Sequence, residues 1–344
     1  MRKFFIGITT VLMIVFSPVS LAFADTVSVN FENPPYVLGS INNQDGWTSL
    51  GSVGSGCAVY DHAVASQSAY LSFGNQSLRI SDAATSGCFG DQTFAKPLVN
   101  AVGETAATAG SFSEGTRQRH FEMQFDIGST SSLVQPGMHV SVSPDRGDGS
   151  RMSYLRFEDS ALGINVFFDD VQQPGPCSPS GCANFVETQV GTDLSRLVPH
   201  KIKLTLDTLD GPGNDVVKVY IDSTLVKTGT SWEDYYRYDP ESSAEQSPRI
   251  VKTVIFRTSG TASPLDQGNG FLFDNFSSLS GPILVGPPTD KNQCKNGGWK
   301  TFNNPSFKNQ GQCISFVENH QNQNGDGGKS GNNNQQIGNN QGSN

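Results

Sequence analysis

The sequence is short of positive charge. Its 344 residues hold 23 Lys and Arg against 32 Asp and Glu, and nowhere do the basic residues gather into a cluster. Such a chain offers no electrostatic footprint for nucleic acid and none for anionic lipid headgroups. A neutral ligand or a cation suits it better. Histidine is scarce as well, five in all, and no two stand at metal-ligand spacing. With C-x2-C also missing, thiolate or imidazole zinc sites are excluded. His62, His200 and His320 stand alone and are read as structural. Neither a serine nucleophile elbow nor a phosphate-binding glycine loop occurs in its strand–turn–helix setting. Past the N-terminal segment, no apolar run approaches the roughly 18–20 residues that a helical bilayer crossing requires. No membrane span is expected, and no long amphipathic helix is evident.

What is present starts with an export signal. Arg2 and Lys3 precede an apolar stretch from Phe4 to Phe16, and Ala22, Phe23 and Ala24 form an A-x-A cleavage site. Residues 1–24 are therefore set aside as a secretory signal peptide cleaved after Ala24. No cysteine follows the apolar stretch, which argues against a lipid anchor. The mature chain keeps 21 basic and 32 acidic residues, a charge of −11. It is expected to be secreted or displayed at the cell surface. Six cysteines remain, Cys57, Cys88, Cys177, Cys182, Cys294 and Cys313. In an exported chain an even count favours disulfides. Nearest-neighbour pairing is expected among the 15 possible connectivities, because each such pair closes a Gly- or Pro-rich loop inside one segment.

Period-2 alternation dominates the body of the chain. Lys201–Thr208 places Ile202, Leu204 and Leu206 on one face; 210–215 (DGPGND) turns the chain; Asp215–Asp222 alternates again through Val217, Val219 and Ile221; and Leu225–Gly229 follows. This is the pattern of half-buried antiparallel strands. Further strands are expected at Thr26–Glu32, Ser77–Ser81, Arg119–Gly128, Met138–Ser143, Met152–Glu158, Leu162–Asp169, Arg249–Arg257 and Gly270–Leu279. Leu162 is assigned to the inner face with Ile164, Val166 and Phe168. Trp232–Tyr238 suits a short helical turn, rimming a groove or packing on the sandwich, and Trp47 belongs in the core. About a dozen strands define an all-β, two-sheet antiparallel sandwich over 25–280. A Pro/Gly linker at 281–290 leads to a small Cys-paired unit at 291–318. The Asn/Gln/Gly-rich tail, 319–344, has too little apolar surface to fold.

Three stretches carry a family resemblance. VNFENPPYVLGSINNQDGW at 29–47, DVVKVYIDSTLVKTG at 215–229 and GFLFDNFSSL at 270–279 resemble the opening, the turning strand pair and the closing strand of exported bacterial concanavalin A-like (laminin-G-like) jelly-roll domains. Ser223 and Thr224 stand where that family usually has Gly after the aspartate, which leaves the turn type open. The resemblance implies a jelly roll and a choice among lectins, carbohydrate-binding modules, glycosidases, polysaccharide lyases and adhesive domains. It also implies a structural calcium between Glu32 and Asp274, with Asn275, Asp45 or carbonyls as further oxygen donors.

Retaining glycosidases of this fold carry E-x-D-x-x-E on one strand. Here the nearest match is Glu122 and Asp126, about 13 Å apart along a strand, too far for the 5–5.5 Å carboxylate pair of a retaining site. If the strands at 119–128, 138–143, 152–158 and 162–169 share a sheet, its outer face presents His120, Glu122, Gln124, His139, Tyr154, Arg156 and Asn165. That set offers planar polar groups and an aromatic ring for sugar hydroxyls and ring faces, or the ordinary solvated face of an antiparallel sheet. The leading expectation is a non-catalytic binding or surface-interaction protein with a glycan or cell-surface polymer as partner. A divergent glycoside hydrolase or polysaccharide lyase is one alternative, and a structural envelope or matrix protein is another.

Overall fold

The computed structural model describes residues 25–50, 61–84, 92–99, 119–147, 149–172, 175, 183–209, 211–239, 251–258, 262–283 and 285–325. Residues 1–24, read above as a signal peptide, four cysteines (Cys57, Cys88, Cys177 and Cys182) and the end of the tail lie outside them. Contacts divide the chain into two compact units, one ending at Pro282 and one beginning at Ile283.

In the first unit the described residues form sixteen strands. In chain order they are β1 (Asp25–Val29), β2 (Gly39–Ser40), β3 (Thr48–Leu50), β4 (Asp61–Ser66), β5 (Gln76–Ser81) and β6 (Gln92–Phe94). Then come β7 (His120–Ser129), β8 (His139–Asp145), β9 (Leu155–Asp159), β10 (Ile164–Val171) and β11 (Phe185–Leu194). The last are β12 (His200–Asp207), β13 (Val216–Ile221), β14 (Thr224–Gly229), β15 (Thr253–Arg257) and β16 (Phe271–Gly281). They make two antiparallel sheets. A nine-stranded sheet runs β14-β13-β12-β7-β16-β5-β4-β2, with β1 also on β16, and a seven-stranded sheet runs β11-β10-β9-β8-β15-β6-β3.

Alternation explains the core. Phe121, Met123, Phe125 and Ile127 of β7 face inward with Ile202, Leu204 and Leu206 of β12, opposite Val140 and Val142 of β8 and Leu155 and Phe157 of β9. Trp47 is fully buried. Its ring lies against Phe31, Phe256 and Phe276 at 5.2–5.8 Å, and its Nε1 donates to Tyr36 Oη at 3.1 Å. The predicted turn at 232–238 is a short helix, α1 (Glu233–Tyr238).

Two expectations fail here, and one strand was not anticipated. The strands read as one sheet are divided: β7 lies in the nine-stranded sheet, while β8, β9 and β10 lie in the seven-stranded one. Leu162 is not an inner-face residue; it sits on the β9–β10 turn and is 77% exposed. Strand β11 answers to no expected element. It is an edge strand whose alternation runs only from exposed to half-buried, with Val190 and Leu194 packed against the core.

The second unit is built on a staple. Cys294 and Cys313 are bonded, 5.7 Å apart at Cα, and both are buried with Val317 among Trp299, Phe302, Phe307 and Ile314. Asp290 and Gln293 form a capping box on the turn Lys291–Cys294. A second helix, α2 (Gln310–Gly325), continues seven residues into the stretch that composition assigns to a disordered tail. Cys313 and Val317, one turn apart, anchor it on the staple. No helix among the described residues is long and apolar enough to cross a membrane.

Candidate functional site

The seven predicted ligand residues fall on two surfaces. His120, Glu122 and Gln124 stand on the outer face of the nine-stranded sheet. There His120 Nδ1 lies 2.6 Å from Asp207 and Glu122 Oε2 2.7 Å from Lys203 Nζ. Gln124 lines a shallow pocket of about 320 Å³ with Lys201, Lys203, Tyr220 and Ser223. His120 and Glu122 are already paired within the sheet, and that half reads as an ion-paired surface.

The other four, His139, Tyr154, Arg156 and Asn165, belong to the seven-stranded sheet. Register places Arg156 between Ser141 on β8 and Phe167 on β10, and places Asp169 directly opposite Glu187 on β11. The Arg156 guanidinium makes a bidentate pair with Glu187, at 2.8 and 2.9 Å, and a third bond to Glu158. It also lies 4.1 Å from the centroid of the Phe167 ring. The bonds to Glu187 and then Glu158 hold it firmly charged, against the effect of burial. Asn165 Oδ1 accepts from the Asp193 amide at 3.0 Å, and His139 Nδ1 is 2.9 Å from the Gly137 carbonyl oxygen.

Beside this row the face turns aromatic. Tyr154 stacks on Trp232 with centroids 6.0 Å apart and planes at 16°. Phe185, 42% exposed, meets Trp232 edge-on at 5.0 Å and Tyr235 at 5.3 Å. Trp232 Nε1 is tied to the Asp169 carbonyl at 3.1 Å. Burial pushes the Tyr154 hydroxyl up, opposed by the Arg151 charge and a hydrogen bond with Ser141, so the phenol is neutral at physiological pH. Asp169 is pushed up to about 6, by burial first and then by the Glu187 and Asp170 charges, with Arg151 and Arg156 pulling the other way. Its Oδ1 is buried without a hydrogen-bond partner. Sequence reasoning missed Arg151, Asp169, Glu187 and Phe185. Continuing the alternation of Asn165 and Phe167 by two residues reaches Asp169. Glu187 and Phe185 ride on the unrecognised edge strand.

Glu32 and Asp274 lie in one neighbourhood, Asp274 at the irregularity that interrupts the β16–β7 pairing before Ser277. Asp274 is 1% exposed and its Oδ2 has no hydrogen-bond partner. Burial pushes it up to about 8; its bond from the Asn275 amide opposes this, and the Glu32 and Asp126 charges add to it. Asn275 turns its amide nitrogen toward Asp126 Oδ2 at 2.9 Å. Glu32 Oε1 accepts the Asn75 and Gln76 amides at 2.6 and 3.1 Å. The orphaned Asp274 oxygen suits a hard cation. Among the described residues, however, no three His, Cys, Asp or Glu side chains are grouped to hold a metal. Asp45 is committed elsewhere, to Lys96 Nζ at 2.8 Å and Tyr36 Oη at 3.0 Å.

The fold is a two-sheet antiparallel β-sandwich. No family model matches the chain, and no curated protein matches it. Among solved structures it is similar to an endo-beta-1,4-glucuronan lyase from the fungus Trichoderma reesei, at 10% identity over 76% of this chain and 95% of that one, with a TM-score of 0.36. It is similar to a structure described under endo-acting O-glycanases of the human gut microbiota that initiate mucin breakdown, at 10% identity, 76% and 99% coverage and a TM-score of 0.38. A sialidase matches over 72% of this chain at 11% identity and a TM-score of 0.34; the chain spans 17% of that protein's length. Likeness at this level assigns no activity to the chain.

Proposed function

We propose that this chain is an exported, non-catalytic glycan-binding sandwich of the concanavalin A-like class, and that the outer face of its seven-stranded sheet is the ligand surface. One observation carries the reading: the exposed Phe185 ring, backed by Trp232 and Tyr235, adjoins the row of Arg156, Glu187 and Glu158. Sugar recognition combines an apolar ring face with a few placed polar groups, and both occur here on neighbouring strands. The export signal and the acidic balance agree with an extracellular neutral polymer. Affinity electrophoresis against neutral and uronate polysaccharides, with and without calcium, tests the proposal. Phe185→Ala is expected to weaken retention about tenfold, and failure to bind any glycan under either condition refutes the reading.

A second reading has its own observation. Asp169 and Glu187 stand directly opposite on β10 and β11, a placement that brings Cβ atoms to about 5 Å, and the raised Asp169 resembles a general acid. This favours a divergent glycoside hydrolase. Release of reducing ends from β-glucans, lost in Asp169→Asn, supports it; unsaturated uronate products would point to a lyase instead. We also propose a structural calcium at Asp274 with Glu32, holding the first and last strands together. Its test is thermal melting with calcium and with chelator.

A further inference from the structure

Four loops meet at one end of the sandwich. Residues 130–138 join β7 to β8, 160–163 join β9 to β10, 195–199 join β11 to β12, and 262–270 precede β16. Register puts them together, since Ser129 pairs with Phe271, Ile127 with His200 and Asp159 with Ile164. Polar bonds, buried or partly buried, then lock them to one another. Asp159 accepts the Gln135 amide at 2.8 Å and Arg196 Nε at 2.7 Å, and the Gly270 amide donates to Thr130 Oγ1 at 2.9 Å.

On this rigid base each loop holds a leucine out into solvent. Leu133 is 75% exposed, Leu162 77%, Leu197 72% and Leu265 85%. Val134 and Val198 stand beside them, 43% and 50% exposed. The loops are otherwise Ser, Thr, Pro, Gly, Gln, Asn, Ala and Met. Their only charged residues are the buried Asp266 and Arg196, whose side chain is 7% exposed and paired with Asp159. In a chain where 16% of residues are charged, these four loops present apolar tips among neutral hydrogen-bonding groups.

We infer that this end docks on a lipid bilayer of uncharged surface, with the leucines entering the interface. The shape favours a bilayer: separate tips on four loops suit a fluid surface that closes around each one. Charge points the same way. The four loops themselves carry no exposed charge to headgroup depth, where an ion would be costly; the exposed Asp193 and Asp222 stand on the adjoining end of β11 and the β13–β14 turn, and polar groups on the loops can bond to headgroups. The chain's net negative charge opposes anionic lipid, so the surface that fits is zwitterionic.

Co-sedimentation of the full mature chain with pure phosphatidylcholine vesicles tests this, alongside vesicles containing phosphatidylserine and lipid-free sedimentation velocity. Binding to phosphatidylcholine is expected, unchanged between low and high salt and weaker when phosphatidylserine is added. Leu133→Ser and Leu162→Ser are each expected to lower partitioning about tenfold, and the pair about a hundredfold. These side chains are largely solvent-exposed, so the variants keep their fold. Leu38→Ser, 60% exposed but outside the four loops, should change nothing. Absence of vesicle binding, equal loss in Leu38→Ser, or a lipid-free dimer abolished by Leu162→Ser overturns the proposal, the last by making a second copy the occupant.

Discussion

Replacing Asp274 by Asn should stabilise the metal-free protein at neutral pH. Asp274 is 1% exposed and pushed up to about 8 by burial and by the nearby Glu32 and Asp126 charges. In the unfolded chain it titrates near 3.8. The native state therefore keeps a proton that the unfolded state releases above that value. This group's stabilising contribution is full below about 3.8 and is lost as pH rises through about 8. At pH 7 the gap of about 3 pH units corresponds to at most about 4 kcal/mol. Asn is uncharged and of the same size, and its carbonyl oxygen can still accept the Asn275 amide, now 2.6 Å from Asp274 Oδ1. With chelator present, the melting temperature at pH 7 should rise by up to about 10 °C in a domain of this size, and the slope between pH 4 and 8 should flatten. With the proposed calcium bound, the ranking is expected to reverse: the ion should raise the wild-type melt and leave Asp274→Asn unmoved. A metal-free variant less stable than wild type at pH 7 would refute the electrostatic account, and a wild-type melt indifferent to calcium would sink the ion.

The remaining predictions concern structure at fixed points. His62 is buried between Thr93 and Thr258 and held down to about 3 by loss of solvation. The unfolded chain takes up a proton below about 6.5 that the native state refuses, so this contribution is lost as pH falls from 6.5 to about 3; His62→Gln should make the acid limb of a pH–stability curve shallower. Trp47→Ala empties the centre of the aromatic cluster and should cost about 3–5 kcal/mol in denaturant unfolding. Converting Cys294 and Cys313 to Ser opens a closed loop with a sequence separation of 19 and should cost the C-terminal unit about 3 kcal/mol, read as faster local proteolysis with the sandwich melt unchanged. Gly163→Ala would place a methyl within 2.5–2.7 Å of the Asp193 and Leu194 backbone. That backbone cannot step aside, so the variant should melt lower.

The strands with one buried face were legible, because alternation records which side of a strand meets the core. Lys201–Thr208 and Arg119–Gly128 were found within a residue of β12 and β7 for that reason. Alternation does not record which of two facing sheets a strand joins, since both present the same pattern to a shared core. His120 and Arg156 therefore looked like neighbours and lie on separate sheets. The edge strand β11 was missed because its better-covered side is only half-buried and mixes Thr188 with Val186 and Val190. Helix α2 was hidden by its composition: among its residues of described burial, from Gln310 to His320, the buried ones are Cys313 and Val317, too few to raise a 3.6-residue pattern above the Asn and Gln around them.

The binding and catalytic readings of the seven-stranded face divide on which residues still have capacity for a ligand. Arg156, the most conspicuous polar group in the sequence there, spends Nε, Nη1 and Nη2 on Glu187 and Glu158. A guanidinium so engaged orders β9, β10 and β11, so polar contacts to a sugar fall to the carboxylate oxygens of Glu187 and Glu158 that it holds in place. Phe185 offers an exposed ring and asks for no rearrangement, whereas Asp169 must exchange a proton to act as an acid. Binding without chemistry should therefore survive Asp169→Asn and fail in Phe185→Ala. Catalysis requires Asp169 and tolerates loss of the ring only at the expense of affinity. Arg156→Lys keeps the charge but not the fork, and should weaken both by loosening β11. Measuring retention and product release on these three variants assigns the face to one role or the other.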